Sequence, residues 1–242
     1  MKNAKALFNY ESLTFFGRVN ASISHELKNI MAIISETAGL LSDLSEMASD
    51  GTPVNPDLLK SSTDSIMEEI QRGFTTIRQM NRFSHSVDTS IDYVNLMELI
   101  DLVCHLSDYL PFVGKTRLLT WDGKPPVVET CPFALQAIVY EIFVQNFRHA
   151  GPNTTLDITI QSDSDSEWVV VFSGFSIGDF QEFPDDRLKK TADSIGVVID
   201  WTKASYHLKL HVPSMLPQGV GDDRPAERVG DGDSPPIHME TR

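Results

Sequence analysis

Two long stretches of the chain repeat their apolar positions at the spacing of an α-helix. From about Ser12 to Ala48, apolar or small residues fall at 16, 23, 27, 30, 34, 37, 41, 44 and 48, which lines one seam of a single helix. Asp50-Gly51-Thr52-Pro53 predicts its end, because glycine suits the left-handed cap and proline cannot continue a helix. Asn55-Pro56-Asp57 predicts a restart, with Asn as N-cap, Pro in the first turn and Asp beside the positive helix end. The second helix repeats at 59, 63, 66, 70, 73, 77, 80, 84 and 87. So short a connection makes the pair an antiparallel hairpin. Two helices cannot hide seams this broad from each other alone, and each Leu or Ile left outside forfeits ~1.5–3 kcal/mol. A second copy of the hairpin would cover them, so the expected form is a dimeric four-helix bundle. A plain coiled-coil spacer would show the same pattern.

The period changes after Asp88. Asn95 can cap a helix over about 96–110, with Leu96, Leu99, Ile100, Val103 and Leu106 on one face. Strands are predicted at 116–121 and 126–130 around the turn Asp122-Gly123-Lys124-Pro125, then a helix from Pro132 to about His149, ended by Gly151-Pro152. Strands at 155–161 and 167–173, a short helix over 184–194 and a last hairpin at 196–201 and 205–212 complete an α/β layer with a mixed or antiparallel sheet and helices on one face. The expected organisation is a lead-in over 1–11, the helical hairpin over 12–90, the α/β domain over 91–213, and a disordered tail over 214–242, rich in Gly, Pro, Asp and Arg.

Composition narrows the function classes. A net charge of −14 argues against nucleic-acid binding, which needs a basic footprint. No run approaches the ~18 apolar residues of a membrane helix, and Met1-Lys2-Asn3-Ala4-Lys5 leads into an amphipathic pattern instead of a signal-peptide core, so the reading is cytoplasmic with no membrane contact. The two cysteines, Cys104 and Cys131, read as buried reduced thiols. No Cys/His cluster has zinc-ligand spacing, and no metal site is expected.

The first helix carries Ser24-His25-Glu26-Leu27-Lys28-Asn29. His25 stands two residues from both Ile23 and Leu27, about 200° from each at 100° per residue, and so faces away from the seam. A neutral imidazole is a good nucleophile near pH 7. Asn29 lies one turn on, on the same face.

This hexapeptide, inside a long helix of a hairpin, resembles the H-box of sensor histidine kinases. The hairpin resembles their dimerisation and histidine-phosphotransfer domain, and the order of elements in 93–213 resembles their ATP-binding α/β sandwich. The resemblance covers nearly the whole chain except the tail. One departure is Ile30, where the family usually has a helix-kinking proline. The resemblance implies that His25 takes a phosphoryl group on one ring nitrogen, that Glu26 holds the proton of the other and sets the tautomer, and that Asn29 can position water for dephosphorylating a partner.

The nucleotide motifs of that family are poorly matched. The magnesium-chelating Asn has its counterpart in Asn146, but the usual following Ala is Phe147. The Asp-x-Gly-x-Gly segment reads Phe172-Ser173-Gly174-Phe175-Ser176, so Gly174 survives while Phe172 replaces the carboxylate that accepts from the adenine amino group. Asp179 is a poor positional replacement. Only Gly178 to Arg187 remain for the ATP lid, with three acids near Pro184 and no glycine-rich cradle. Asn146 and Gly174 therefore read as degenerate remnants of a nucleotide site.

The expected function is a histidine phosphotransferase that relays a phosphoryl group between response-regulator aspartates through His25. It needs no cofactor of its own, since magnesium is supplied at the partner receiver domain. One alternative is a cytoplasmic histidine kinase with a divergent ATP site. Another, of a different class, is a non-catalytic dimeric adaptor. The expected partners are receiver domains and a second copy of the chain.

Overall fold

The structure, a computed structural model, describes residues 10–108, 114–121, 123–151, 153–164, 166–175, 183–202 and 206–216. Most of the expected lead-in and nearly all of the expected tail lie outside these residues. The first helix, α1, runs unbroken over Tyr10–Ser49. Gly51 takes φ 82° just past it, and the Gly51 and Thr52 amides donate to the carbonyls of Ala48 and Met47 at 3.1 and 3.0 Å. The helix therefore ends as its glycine predicts. The second helix, α2, spans Pro56–His85, and the Asn55 side chain accepts from the Asp57 amide at 2.9 Å.

α1 and α2 pack as a hairpin. Ile23, Ile30 and Leu44 of the expected seam are buried in α1. In α2 the buried stripe is turned partly away from the expected one: Ser62, Gly73, Thr76 and Phe83 are buried, while Leu59 and Ile77 are exposed. Ile30 is fully buried, and its Cγ2 lies 3.6 Å from where a Cβ on Gly73 would sit. A branched residue that keeps its amide stands where a proline would kink the helix, and α1 runs unbroken past the site.

The α/β domain begins with a strand that the sequence pattern did not suggest, β1 (Asp92–Asn95), which runs directly into α3 (Leu96–Ser107). Asn95 ends the strand and caps the helix, accepting from the Met97 amide at 2.9 Å. Then come β2 (Lys115–Leu118), β3 (Val127–Thr130), α4 (Pro132–Ala150), β4 (Thr155–Ser164), β5 (Glu167–Ser173), α5 (Asp186–Ser194), β6 (Val198–Thr202) and β7 (His207–Pro213). The strands around the 122–125 turn do not form a hairpin. β3 pairs antiparallel with β1 in a two-stranded sheet, and β2 joins a five-stranded sheet of order β2-β4-β5-β7-β6. β2 runs parallel to β4, whereas the other pairs in that sheet are antiparallel, so the sheet is mixed.

Alternate residues of β4, β5 and β7, among them Ile158, Phe172 and Leu210, are buried in one core with α3 and α4. The free thiols of Cys104 and Cys131 are buried in the same core. Burial pushes the Cys104 thiol up to about 12 and raises that of Cys131, which makes both poor nucleophiles near neutral pH.

That core extends into the foot of the hairpin. Phe15 meets Phe83, Phe133 and Tyr140 at ring-centroid distances of 5.4, 5.3 and 5.0 Å, and Phe16 stacks on Phe83 at 5.3 Å. Val19, Ile23 and Phe83 belong to the same cluster as the α3 and α4 side chains. Arg82 adds an ion pair to Glu98 at 3.1 Å. The last described residues are not loose: the Ser214 amide donates to the Ser166 carbonyl at 2.8 Å, the Ser214 carbonyl accepts from the Glu129 amide at 2.9 Å, and Leu216 packs on the core. The expected tail is thus anchored over its first three residues.

Candidate functional site

His25 sits about midway along α1, where 100° of turn per residue sends its side chain away from Ile23 and Ile30, both buried. It is exposed, as are Lys28 and Asn29. Asn29 Nδ2 lies 3.3 Å from His25 Nδ1. That amide donates to an unprotonated Nδ1; after a half-turn its Oδ1 would instead accept from Nδ1–H. With Nδ1 met by Asn29, Nε2 is the ring nitrogen left open to a visiting molecule.

The contacts of Glu26 differ from the expectation. Its carboxylate does not meet His25; it forms an ion pair with Arg72 of α2. Adjacent residues on a helix point about 100° apart, so the face that turns His25 outward turns Glu26 toward the second helix. Arg72 also holds Glu69 through Nη1, at 3.1 and 3.0 Å from its two carboxylate oxygens. The Glu26 and Glu69 side chains are only 12% and 16% exposed, so they are fixed more firmly than ordinary surface carboxylates. Partial burial works against the Arg72 charge, but the bond to Glu26 and the nearby carboxylates outweigh it and hold the guanidinium above its ordinary range. Arg72 was missed in the sequence because it is 46 residues from Glu26. The one local signal was Glu69 three residues before it, a spacing common on any solvated helix face.

The nucleotide-site remnants lie apart from this cluster, in the α/β domain. Asn146 is on α4 and has no exposed surface, 0%. Phe147 beside it is buried against Gly114, where a Cβ would come within 2.8 Å of its ring and 2.3 Å of the Thr154 carbonyl. Phe172 is fully buried and meets Phe143 edge-on at 6.1 Å. Gly174 takes φ 85°, and a Cβ there would stand 3.1 Å from the Thr155 carbonyl, so its glycine is accounted for by the backbone turn alone. Phe175 is enclosed by Phe183 and Trp201 at 5.1 and 4.9 Å. Asp179 and residues 178–182 of the short lid segment lie outside the described residues. Of its remainder, Asp185 caps α5, accepting from the Leu188 amide at 2.8 Å.

No protein-family model matches the sequence, and no curated protein matches it. Solved structures to which the chain is similar include histidine kinases. The catalytic domain of the histidine kinase ThkA is 17% identical, with 53% of this chain and 100% of that one covered and a TM-score of 0.40. The histidine kinase AdeS of Acinetobacter baumannii is 12% identical, covering 78% of this chain and 98% of its own, with a TM-score of 0.36. ThkA in complex with the response regulator protein TrrA is 20% identical, covering 84% of this chain and 63% of that one, with a TM-score of 0.40. Among the described residues of this chain, no helix is long and apolar enough to cross a membrane.

Proposed function

We propose that the chain is a histidine phosphotransferase of two-component signalling. It takes a phosphoryl group from an aspartyl phosphate on a receiver domain and passes it to another receiver, without using ATP. The observation that carries this reading is the contrast between its two candidate sites. His25 is exposed with a polar partner on its own helix face, whereas Asn146 and Phe172, at the remnant nucleotide positions, are fully buried. A buried Asn146 and an apolar Phe172 do not suit a magnesium nucleotide: the first offers no surface to a metal, and the second cannot accept from an adenine amine.

The joint of Phe15, Phe83 and Phe133 gives further support. A kinase must carry its bound nucleotide to its own histidine, and a core shared by hairpin and domain opposes that movement. A relay needs none. In the Nδ1–H tautomer, from which Asn29 Oδ1 accepts, the Nε2 lone pair attacks phosphorus, the P–O bond to the aspartate breaks, and its electrons leave with the carboxylate. The receiver would supply its aspartate and magnesium; this chain supplies a positioned imidazole.

The decisive experiment offers the purified protein two phosphoryl sources. Incubation with labelled magnesium-ATP is expected to leave it unlabelled, with no nucleotide-dependent rise in melting temperature. Incubation with phosphorylated receiver domains is expected to label it. Labelling from ATP would make the chain a kinase with a divergent site; no transfer from any of a broad receiver panel would leave the adaptor.

The relay is read as a dimer. Leu59, Met67, Phe74 and Ile77 lie to one side of the buried stripe of α2, and Met31 to the corresponding side of α1, so the antiparallel hairpin opens both toward one face. Met31, Met67 and Phe74 are 57%, 53% and 54% exposed in the single chain. A second hairpin on this face would complete a four-helix bundle. Phe74→Glu is expected to shift the light-scattering mass from two chains to one; a monomeric parent protein would remove the bundle.

A further inference from the structure

We propose that Arg72 is a positioning residue that holds Glu26 against α2, so that the neutral Asn29 amide, and not a carboxylate, is the partner of Nδ1 on the relay histidine His25. The inference rests on the relay reading of His25 for its meaning, though not for its test. Three contacts carry it. Arg72 engages the Glu26 carboxylate across the hairpin, the same guanidinium holds Glu69, and Asn29 occupies Nδ1 of the ring at 3.3 Å. Glu26 is directed toward α2 and largely covered, while Asn29, four residues from His25, shares its exposed face.

The choice of partner matters to the chemistry. An ionised carboxylate only accepts, so at Nδ1 it would fix the Nδ1–H tautomer and hold the imidazolium by charge. An amide is neutral and meets either tautomer, by Nδ2 or by Oδ1. When Nε2 attacks an aspartyl phosphate, the ring keeps its proton at Nδ1 and becomes a phosphorylated imidazolium, and the aspartate departs as carboxylate. In the reverse step an aspartate attacks phosphorus, the P–Nε2 bond breaks, and its electrons return to the ring. No proton is gained or lost in either direction. A carboxylate at Nδ1 would favour the charged, phosphorylated ring and slow its discharge. Asn29 Oδ1 stabilises that state less, which suits a group that must be both loaded and emptied. Arg72 thus neutralises the one carboxylate next in sequence to the ring and leaves the neutral amide as the partner of Nδ1.

The test reads the ring directly, with no receiver present. The full chain is labelled with nitrogen-15 histidine, and long-range proton–nitrogen spectra report the tautomer of each ring; comparison with His25→Ala identifies His25 among the seven histidines. Glu26→Gln alone is expected to leave the His25 pattern unchanged, and Asn29→Ala to shift its tautomer ratio. Arg72→Gln is expected to shift the ring toward Nδ1–H, and Arg72→Gln combined with Glu26→Gln to return it to the parent pattern. A shift from Glu26→Gln alone, or none from Asn29→Ala, overturns the role of the amide. Identical spectra for Arg72→Gln with and without Glu26→Gln overturn the role of Arg72. The relay reading fails separately, through absence of transfer from receivers.

Discussion

His25→Ala is expected to abolish phosphoryl acceptance from receiver domains while leaving the fold unchanged. The loss should be complete because the substitution removes the attacking nitrogen itself, and no neighbouring side chain offers the same chemistry: Ser24, Lys28 and Asn29 are respectively a hydroxyl, an ammonium and an amide. The fold should survive because His25 is exposed and its side-chain bond among the described residues is to exposed Asn29. Surface replacements of this kind change stability by about 0.5 kcal/mol or less, and alanine favours the helix. The check pairs labelling from a phosphorylated receiver with a thermal melt. The labelled product of the parent protein should be acid-labile and base-stable, as a phosphoramidate is. Residual labelling with that signature in His25→Ala would place the acceptor elsewhere.

Phe83→Ala is expected to have the largest effect on stability. Phe83 is 0% exposed and meets Phe15, Phe16 and Phe133 at once, so truncation empties the centre of the joint between α1, α2 and α4. Removing a buried phenyl ring costs about 3–5 kcal/mol when its surroundings cannot close over the gap. For a chain of this size that lowers the melting temperature on the order of 10 °C. The exposed link at 88–90 should also become easier to cut with protease, since the hairpin and domain would no longer share a filled core. A normal melt with unchanged protease resistance would mean that Phe83 is not central to the joint.

The hairpin was legible because its signals are local. A four-three apolar spacing, Gly51 and the Asn55-Pro56-Asp57 start each act within a few residues, and so does the Asn29 partnership one turn from His25. What the pattern did not reveal depends on distant pairing. The strand Asp92–Asn95 is four residues long and ends on a helix cap, too short to show an alternation. The Asp122-Gly123-Lys124-Pro125 turn signals a reversal, yet the strands beside it find partners far along the chain, one in β4 and the other in β1. Arg72 is the same case at the candidate site. Its sequence neighbours suggest an ordinary solvated face, and only the packing of α1 on α2 brings it to Glu26.

Ser214 gives the molecule a mechanical closure. From the end of β7 it bonds to Ser166 beside β5 and to Glu129 in β3; β3 pairs with β1, and β1 follows the foot of α2. The end of β7 is therefore strapped back, through the small sheet, to the base of the helix pair that carries His25. Force applied at this end would be carried through the small sheet to the hairpin foot, in parallel with the aromatic joint. The α/β domain is held like a bracket at two points, the aromatic joint and the Ser214 strap.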